Sequence, residues 1–336
     1  MNAPAHAGRL HPLDRCIFMV VFALMIGFAA VVPFTATTSR GHLLLAGPSS
    51  ATGQRPVVAE LSKPQAVQSG AVAAGGTPRT HAKTRHDGAA HALLPSPPAS
   101  APLDAQLASA LGPVLGGDTG QLAVGVVDLS TGASATYDAA GSFRAAGIAE
   151  ADILAALLLQ HQQRGTPVSD HEAELAADMI ENGSDSATSA LWNVVGGASG
   201  IRTANAALKL SNTAPLAGGD WTLTRTTVAD QLQLLADLAG TASPLSPAAR
   251  DYALGLMADA SAGQRWGVAA AASRGTTGAV DNGSLIGRGW VVNSIGVVQR
   301  HGHMLLVVVL STQNAVWASA VSAAQAAAVA AANVVG

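Results

Sequence analysis

Residues 291–311 read Val-Val-Asn-Ser-Ile-Gly-Val-Val-Gln-Arg, then His-Gly, then His-Met-Leu-Leu-Val-Val-Val-Leu-Ser. Two runs rich in β-branched residues that flank the two-residue turn His301-Gly302 predict an antiparallel hairpin. The Ala-rich segment 316–334 follows it and has the spacing of a helix. Far upstream, residues 121–128 predict a strand, and 133–137 predict its return strand across a short turn. The predicted strands therefore lie near both ends of residues 121–334, and the residues between 137 and 291 separate them along the chain.

The residues between these strands have the apolar spacing of helices. A capping box of Ser169 and Glu172 begins one of them, because the serine and glutamate side chains can each cap the other's backbone N–H. Helices are predicted at 104–115, 147–163, 169–181, 186–195, 200–210, 227–238 and 247–257. This order predicts an α/β fold of the α+β type, with an antiparallel sheet flanked by helices and an inserted all-helical lobe.

The N-terminus carries a targeting signal. Residues 16–34 are 19 in number and uncharged, which is close to the ~20 that cross a bilayer as a helix. Arg9 and Arg15 precede them, so the positive-inside rule leaves residues 1–15 as a cytoplasmic tail. We expect a signal-anchor, and hence a single-pass membrane protein with its C-terminal domain outside the cytoplasm. A cleaved signal, which would make the protein secreted, stays open.

Composition divides the rest of the chain into two parts. Residues 35–101 are rich in Pro, Ala, Gly and Ser, which predicts a disordered linker. Residues 102–336 carry ten Lys and Arg against eighteen Asp and Glu, a formal charge of −8, and form the predicted folded domain. Such an acidic domain is not expected to bind nucleic acid, which requires clustered basic residues.

Several segments of this domain, in the same order along the chain, resemble the serine β-lactamases of class A and the penicillin-interacting serine hydrolases. They lie at 143–154, 179–186, 190–193, 223–227, 264–268, 281–285 and 289–296. The resemblance implies a β-lactamase/transpeptidase-like fold over about 104–335. It also implies a site made of three short motifs, each of which can be read in this sequence.

The first motif of that family is Ser-x-x-Lys, and the matching residues here are Gly147 and Glu150. In the family the lysine amine helps to take the proton from the attacking serine hydroxyl. Glycine has no hydroxyl, so Gly147 cannot act as the nucleophile. An acid at Glu150 also suits the first turn of a helix, where the macrodipole favours negative charge.

The second motif of the family is Ser-Asp-Asn or Ser-x-Asn. The matching residues are Gly183, Ser184 and Asp185, and a shift by one residue gives Ser184-Asp185-Ser186, which still lacks the asparagine. A serine just before a helical segment is also the usual N-cap residue. We therefore expect Ser184 to cap the helix that begins near Ser186.

The third motif, Lys-Thr-Gly, uses a cation to bind the carboxylate of the substrate. Here it reads Asp281-Asn282-Gly283, so the glycine is kept and the charge is inverted. An aspartate there would repel a carboxylate. Lys209 is the one lysine in residues 102–336, and Ala206 stands three residues before it. Neither Ser-x-x-Lys nor Lys-Thr-Gly can therefore be formed in the domain in any alignment.

These observations predict a catalytically inactive member of the family with a binding or scaffolding role in the cell envelope. Its partner would be a cell-wall fragment or an envelope protein, and no metal or cofactor is expected. The alternative is an active serine hydrolase, related to β-lactamases, that uses a relocated nucleophile such as Ser184 or Ser294. The histidines are interpreted as exposed helix or turn residues rather than ligands or bases; they are His161, His171, His301 and His303.

Overall fold

The computed structural model describes residues 101–116, 120–216 and 219–336. The predicted cytoplasmic tail (1–15), membrane segment (16–34) and linker (35–101) lie outside the described residues, apart from residue 101, which begins the first helix.

Seven strands are described. They are β1 (Gln121–Asp128), β2 (Ser134–Tyr137), β3 (Phe143–Arg144), β4 (Arg225–Thr226), β5 (Ala279–Ile286), β6 (Trp290–Arg300) and β7 (His303–Thr312). Five of them form one sheet in the order β2-β1-β7-β6-β5, and every neighbouring pair is antiparallel. Strands β3 and β4 form a separate small ladder. The sheet thus joins the two ends of the domain, as predicted, because β1 pairs with β7.

The described helices agree with the predicted ones to within a few residues at each end. They are α1 (Ala101–Ala110), α2 (Gly112–Leu115), α3 (Ala149–Arg164), α4 (Asp170–Asn182), α5 (Asp185–Val194), α6 (Gly197–Ala207), α7 (Val228–Ala239), α8 (Pro247–Ala258) and α9 (Trp317–Val335). The capping box at Ser169 is confirmed, since Glu172 N–H donates to the serine oxygen and the glutamate accepts from the serine N–H. The inserted helical lobe is formed by α3 to α6 and α8.

Helices cover both faces of the sheet. Helix α9 packs on one face together with α1, and α7 packs on the other face beside the helical lobe. The inward side of α9 is lined by alanines that are fully or nearly fully buried: Ala320, Ala324, Ala327, Ala328, Ala331 and Ala332. Small side chains there allow a helix to lie close to a sheet of Val and Leu.

Helix α9 also has the length and composition of a membrane span, the one such helix among the described residues. Its row of buried alanines shows that much of this apolar character serves the core against the sheet. Length and composition alone are thus weak evidence for a span here, since core helices pass the same test.

Two differences from prediction are that the helix expected at 104–115 is divided into α1 and α2, and that strands β3, β4 and β5 were not predicted. A third difference lies at the start of α3. A helix was expected from residue 147, but Ala146–Ile148 form a short 3-10 turn and the α-helix begins at Ala149. Ala146 has a positive φ of 51°, a backbone region that side chains other than glycine seldom adopt. This strained turn is the place where the family resemblance puts the nucleophile.

Candidate functional site

The turn at Ala146–Ile148 is pressed against strand β5. A Cβ atom placed on Gly147 would lie 2.6 Å from the carbonyl oxygen of Asn282 and 2.8 Å from Cα of Gly283. A Cβ atom placed on Gly283 would in turn collide with the backbone nitrogen of Gly147 and lie 2.6 Å from that of Ile148. Two backbones therefore touch where the family would need an open nucleophile, and each glycine is required by the other.

Glu150 lies in the first turn of α3 and is 2% exposed. Its Oε1 accepts a hydrogen bond from Oγ1 of Thr188 on α5, at 2.9 Å. Burial raises the pKa of Glu150 well above its ordinary value, and the negative charges of Asp281 and Asp185 raise it further, against the opposing effect of the Thr188 hydrogen bond. The acid expected in the first turn of a helix is therefore there, and it is buried in the interior.

Asp281, which the resemblance aligns with the family's cation, is 3% exposed. Its Oδ2 accepts a hydrogen bond from the backbone N–H of Ala151, at 3.0 Å. Burial raises the pKa of Asp281 to about 7, although hydrogen bonds from the backbone of Ala151 and Asn282 oppose that shift. We expected a negative charge facing a ligand; instead the carboxyl group is turned onto the first turn of α3, whose free N–H groups attract an acid.

The resemblance aligns these two acids with the two lysines of the family's motifs, and they lie close enough for the charge of Asp281 to act on Glu150. No Lys, Arg or His within the described ranges forms an ion pair with Glu150 or Asp281, since the ion pairs found there join His161 to Glu172 and His303 to Asp128. Two buried like charges without a counter-ion are strongly unfavourable. The pair thus favours a state in which at least one carboxyl group is protonated.

The second-motif residues are placed as helix ends. Gly183 has a φ of 67° and ends α4, while Ser184 caps α5 by accepting from the backbone N–H of Ala187. Asp185 is the first residue of α5. The N-cap role expected for Ser184 is confirmed, and the helix begins one residue earlier than predicted.

Asn282 of the third motif is also engaged in structural contacts. Its amide nitrogen donates to the backbone oxygen of Gln264 and, at 3.4 Å, to that of Trp266. The side chain is 6% exposed, and its Oδ1 has no hydrogen-bond partner in the part of the chain described. The amide nitrogen therefore fastens the loop that contains Gln264 to β5.

A second buried polar cluster lies two residues beyond Glu150 and was not foreseen. Asp152 is 1% exposed, and its Oδ2 accepts from the amide nitrogen of Asn205 at 3.1 Å. Oδ1 of Asp152 and Oδ1 of Asn205 have no other partner among the described residues. Burial raises the pKa of Asp152 to about 7, and the charge of Asp230 raises it too, while the bond from Asn205 lowers it. A protonated Asp152 could donate to the free oxygen of Asn205 and satisfy both atoms.

Two histidines contact carboxylates, and neither contact was predicted from the sequence. His161 was expected on an exposed helix face, but it is 9% exposed, with Nδ1 at 3.0 Å from Thr166 Oγ1 and Nε2 at 3.3 Å from Glu172 Oε2. Helix α4 folds back over α3 through the Gly165 turn, and this covers the ring. The expectation for His161 was therefore wrong.

The other histidine pair lies at the edge of the sheet. His303 Nδ1 is 2.8 Å from Oδ2 of the fully buried Asp128. Burial alone would raise the pKa of Asp128, but hydrogen bonds from Thr131, Ser130 and His303 hold it below its ordinary value. No serine hydroxyl contacts either His161 or His303 in the described ranges. Ser294, the other expected nucleophile candidate, is fully buried and accepts from Val268 N–H at 2.7 Å.

The described part of the chain contains no group of side chains arranged as a metal-binding site. No three His, Cys, Asp or Glu side chains are grouped there so as to hold an ion. A pocket of about 420 Å³ lies away from the motif residues, between the β1–β2 turn and the end of α7. It is lined by Leu129, Ser130, Gln233, Ala236 and Met304, among others, and is largely apolar.

No family model matches the chain, and no curated protein matches it. Solved structures do. PBP-A is similar at 18% identity and a TM-score of 0.60, over 68% of this chain and 95% of that one. A class A β-lactamase from Bacteroides cellulosilyticus DSM 14838 shows 13% identity and a TM-score of 0.61, over 69% and 98%. A β-lactamase from Xanthomonas campestris pv. campestris str. ATCC 33913 shows 20% identity and a TM-score of 0.58, over 70% and 99%.

The described domain therefore has the serine β-lactamase/transpeptidase-like fold. Identities this low show the fold alone, and one fold can carry different functions. The question of activity rests on the motif positions themselves.

Proposed function

We propose that this chain is an exported, membrane-anchored protein with a β-lactamase-like domain that has lost serine-hydrolase chemistry and acts by binding or scaffolding in the cell envelope. The membrane anchor is inferred from residues 16–34, which are uncharged and long enough to span a bilayer. The partner we expect is a cell-wall fragment or another envelope protein.

The contact between Gly147 and Gly283 is the observation that carries this proposal. A serine at residue 147 would need both a Cβ and an Oγ, yet a Cβ alone would already lie 2.6 Å from Asn282 O. Residue 147 thus lacks the nucleophilic side chain, and the backbone of Asn282 and Gly283 fills the space that this side chain would need. A site that had lost only the serine would keep that space open.

The charges around this contact support the same conclusion. Acyl transfer in this family depends on a basic group beside the nucleophile and a cation for the substrate carboxylate. Glu150 and Asp281 supply neither, and both are buried. Lys209, the one lysine of residues 102–336, lies just past the end of α6, whereas Gly147 precedes α3.

The test is acylation of the purified full chain in detergent. A PBP-A variant has been solved as an acyl-enzyme complex with penicillin G, so a fluorescent penicillin is the appropriate probe. We expect no covalent labelling and no nitrocefin hydrolysis above the rate of a heat-denatured sample, with an active class A β-lactamase as the positive control. Stoichiometric labelling or catalytic turnover would refute the loss of activity.

The binding role is tested separately. Muropeptides of defined composition are added to the full chain and the melting temperature is followed, because a ligand of the folded state raises it. A saturable increase supports envelope binding. An unchanged melting temperature with all muropeptides, together with no envelope protein captured by cross-linking in intact cells, would contradict it.

A second candidate is a hydrolase with a relocated nucleophile, and one observation favours it. Thr166 Oγ1, the ring of His161 and the carboxylate of Glu172 lie in a row, with distances of 3.0 and 3.3 Å. This is the order of nucleophile, base and orienting acid. We rank it second because Thr166 also closes the end of α3, its N–H donating to His161 O at 3.0 Å, which accounts for the arrangement without catalysis.

A fluorophosphonate probe separates the two candidates. Labelling that is lost in Thr166→Ala and kept in Thr203→Ala, an exposed helical threonine, would support the second one. Absence of labelling in the wild-type protein would rule out Thr166 as an activated nucleophile.

A further inference from the structure

The elements that close the former active site are held by two carboxyl groups. Strand β5 reaches the start of α3 through the hydrogen bond from Ala151 N–H to Asp281 Oδ2, and helix α5 reaches it through the bond from Thr188 to Glu150. Between these bonds lies the backbone contact of Gly147 with Gly283. The closed arrangement therefore depends on two acids that come from different elements.

Both acids are out of water, and no Lys, Arg or His of the described ranges forms an ion pair with either of them. Their exposed fractions are 2% for Glu150 and 3% for Asp281. The negative charge of Asp281 raises the pKa of Glu150. The negative charge of Asp185 on α5 raises the same pKa. Full ionisation of the pair would thus place repelling charges on the two sides of the closed contact.

Other charged groups on the neighbouring elements do not relieve this repulsion. In the residues described, none of them makes a hydrogen bond or an ion pair with either carboxyl group. They are Asp152 on α3, Glu181 on α4, Arg202 on α6, Arg250, Asp251 and Tyr252 on α8, and Arg300 on β6.

We infer that Glu150 and Asp281 form a proton-dependent latch, which closes strand β5 onto residues 146–151 while the pair holds a proton and loosens that contact when both groups ionise. The latch is a property of the fold and does not depend on whether the protein is catalytic. Its opening would expose the backbone around Gly147 and Gly283, the surface that is sealed in the closed form.

The direction and range of pH follow from the acids themselves. A raised pKa means that the folded state keeps a proton that the unfolded chain has released, so the acids favour the closed form at low pH and this effect is lost as pH rises. For Asp281 the loss is complete once pH passes about 7. Opening is therefore expected on the alkaline side of neutrality.

Hydrogen exchange of the full chain tests the latch. Exchange of peptides covering 146–152 and 279–284 is followed by mass spectrometry from pH 5.5 to 8.5, after correction for the intrinsic pH dependence of exchange. We expect protection in both peptides to fall at least tenfold across neutrality. The double variant Glu150→Gln with Asp281→Asn should abolish this pH dependence.

The matched control also removes two negative charges, but from exposed residues. Glu174→Gln with Asp251→Asn alters two exposed acids and should leave the transition as in the wild type. Protection that does not vary with pH in the wild type would overturn the latch, as would loss of the transition in the control. If the double variant does not fold, NMR titration of the side-chain carboxyl carbons in the wild type decides: ionisation of both groups below pH 5 would refute it.

Discussion

The backbone N–H of Ala151 donates a hydrogen bond to the carboxyl group of Asp281, 130 residues further along the chain, at 3.0 Å. Asp281 thereby caps the first turn of α3 from a strand of the sheet, whereas most helix caps come from a residue next to the helix. The bond joins helix α3 to strand β5 at the position where a substrate-binding cation would be expected in this fold.

We predict that Asp281→Asn makes stability less dependent on pH. In the wild type, burial raises the pKa of Asp281 from 3.8 to about 7, so the contribution of this group to stability is greatest below about pH 4 and falls until about pH 7. The loss should be on the order of 2–4 kcal/mol. Urea denaturation of the full chain at pH 4, 5, 6, 7 and 8 measures it.

The control for this prediction is Asp251→Asn, which removes an exposed acid from α8. Its stability curve should run parallel to that of the wild type. A parallel curve for Asp281→Asn as well would mean that Asp281 is ionised in both the folded and the unfolded state, contrary to our interpretation.

Gly283→Ala should destabilise the fold by roughly 1–3 kcal/mol, because the new methyl group would collide with the backbone of Gly147 and force the strand and turn apart. Gly255→Ala is the matched control. No atom lies within 4 Å of its Cβ position in the exposed part of α8, so alanine should be neutral or stabilise by up to about 1 kcal/mol. Thermal unfolding of both variants measures these effects on stability. Equal changes in the two variants would argue against the close contact between Gly147 and Gly283.

Restoring the first motif alone should not restore catalysis. The double substitution Gly147→Ser with Glu150→Lys supplies a hydroxyl and an amine, yet the serine Cβ would lie 2.6 Å from Asn282 O and Asp281 would still replace the family's cation. We expect no nitrocefin turnover above background. Measurable turnover in a folded double variant would show that the site opens more readily than the structure indicates.

Asp128→Ala should cost about 2 kcal/mol or more at neutral pH, because it leaves the N–H of Ser130 and the hydroxyl of Thr131 without their acceptor and also removes the contact with His303. The pKa of Asp128 is held below its ordinary value, so its contribution is present above about pH 4 and is lost as pH falls below it. Denaturation at pH 7 and pH 3 should therefore show a smaller deficit at pH 3. An equal deficit at both would contradict this role.

Much of the fold could be predicted because its signals are local. The hairpin of β6 and β7 follows from two β-branched runs around His301-Gly302, and the capping box marks the start of α4. The replaced motif residues are likewise readable, since the absence of a hydroxyl at Gly147 is a property of the residue itself. These conclusions do not depend on the tertiary contacts between distant residues.

The state of the site could not be predicted, because it depends on contacts between distant residues. Glu150 in a first helical turn has the pattern of a solvated acid, and only the tertiary structure shows that Thr188 and Asp281 bury it. The pairing of His303 with Asp128 spans 175 residues and has no local signature. The same limit explains why His161 was wrongly expected to be exposed.

The pairing of β1 with β7 has a consequence for how the protein is made. Strand β1 is complete by residue 128, but its long neighbour β7 (His303–Thr312) begins 175 residues further along the chain. The pairing of β1 with β7 therefore cannot form until β7 has been synthesised, and such long-range pairing is slow. The sheet therefore stays incomplete while residues 129–302 are synthesised, and an incompletely folded polypeptide is the form that a translocation channel can thread through a membrane.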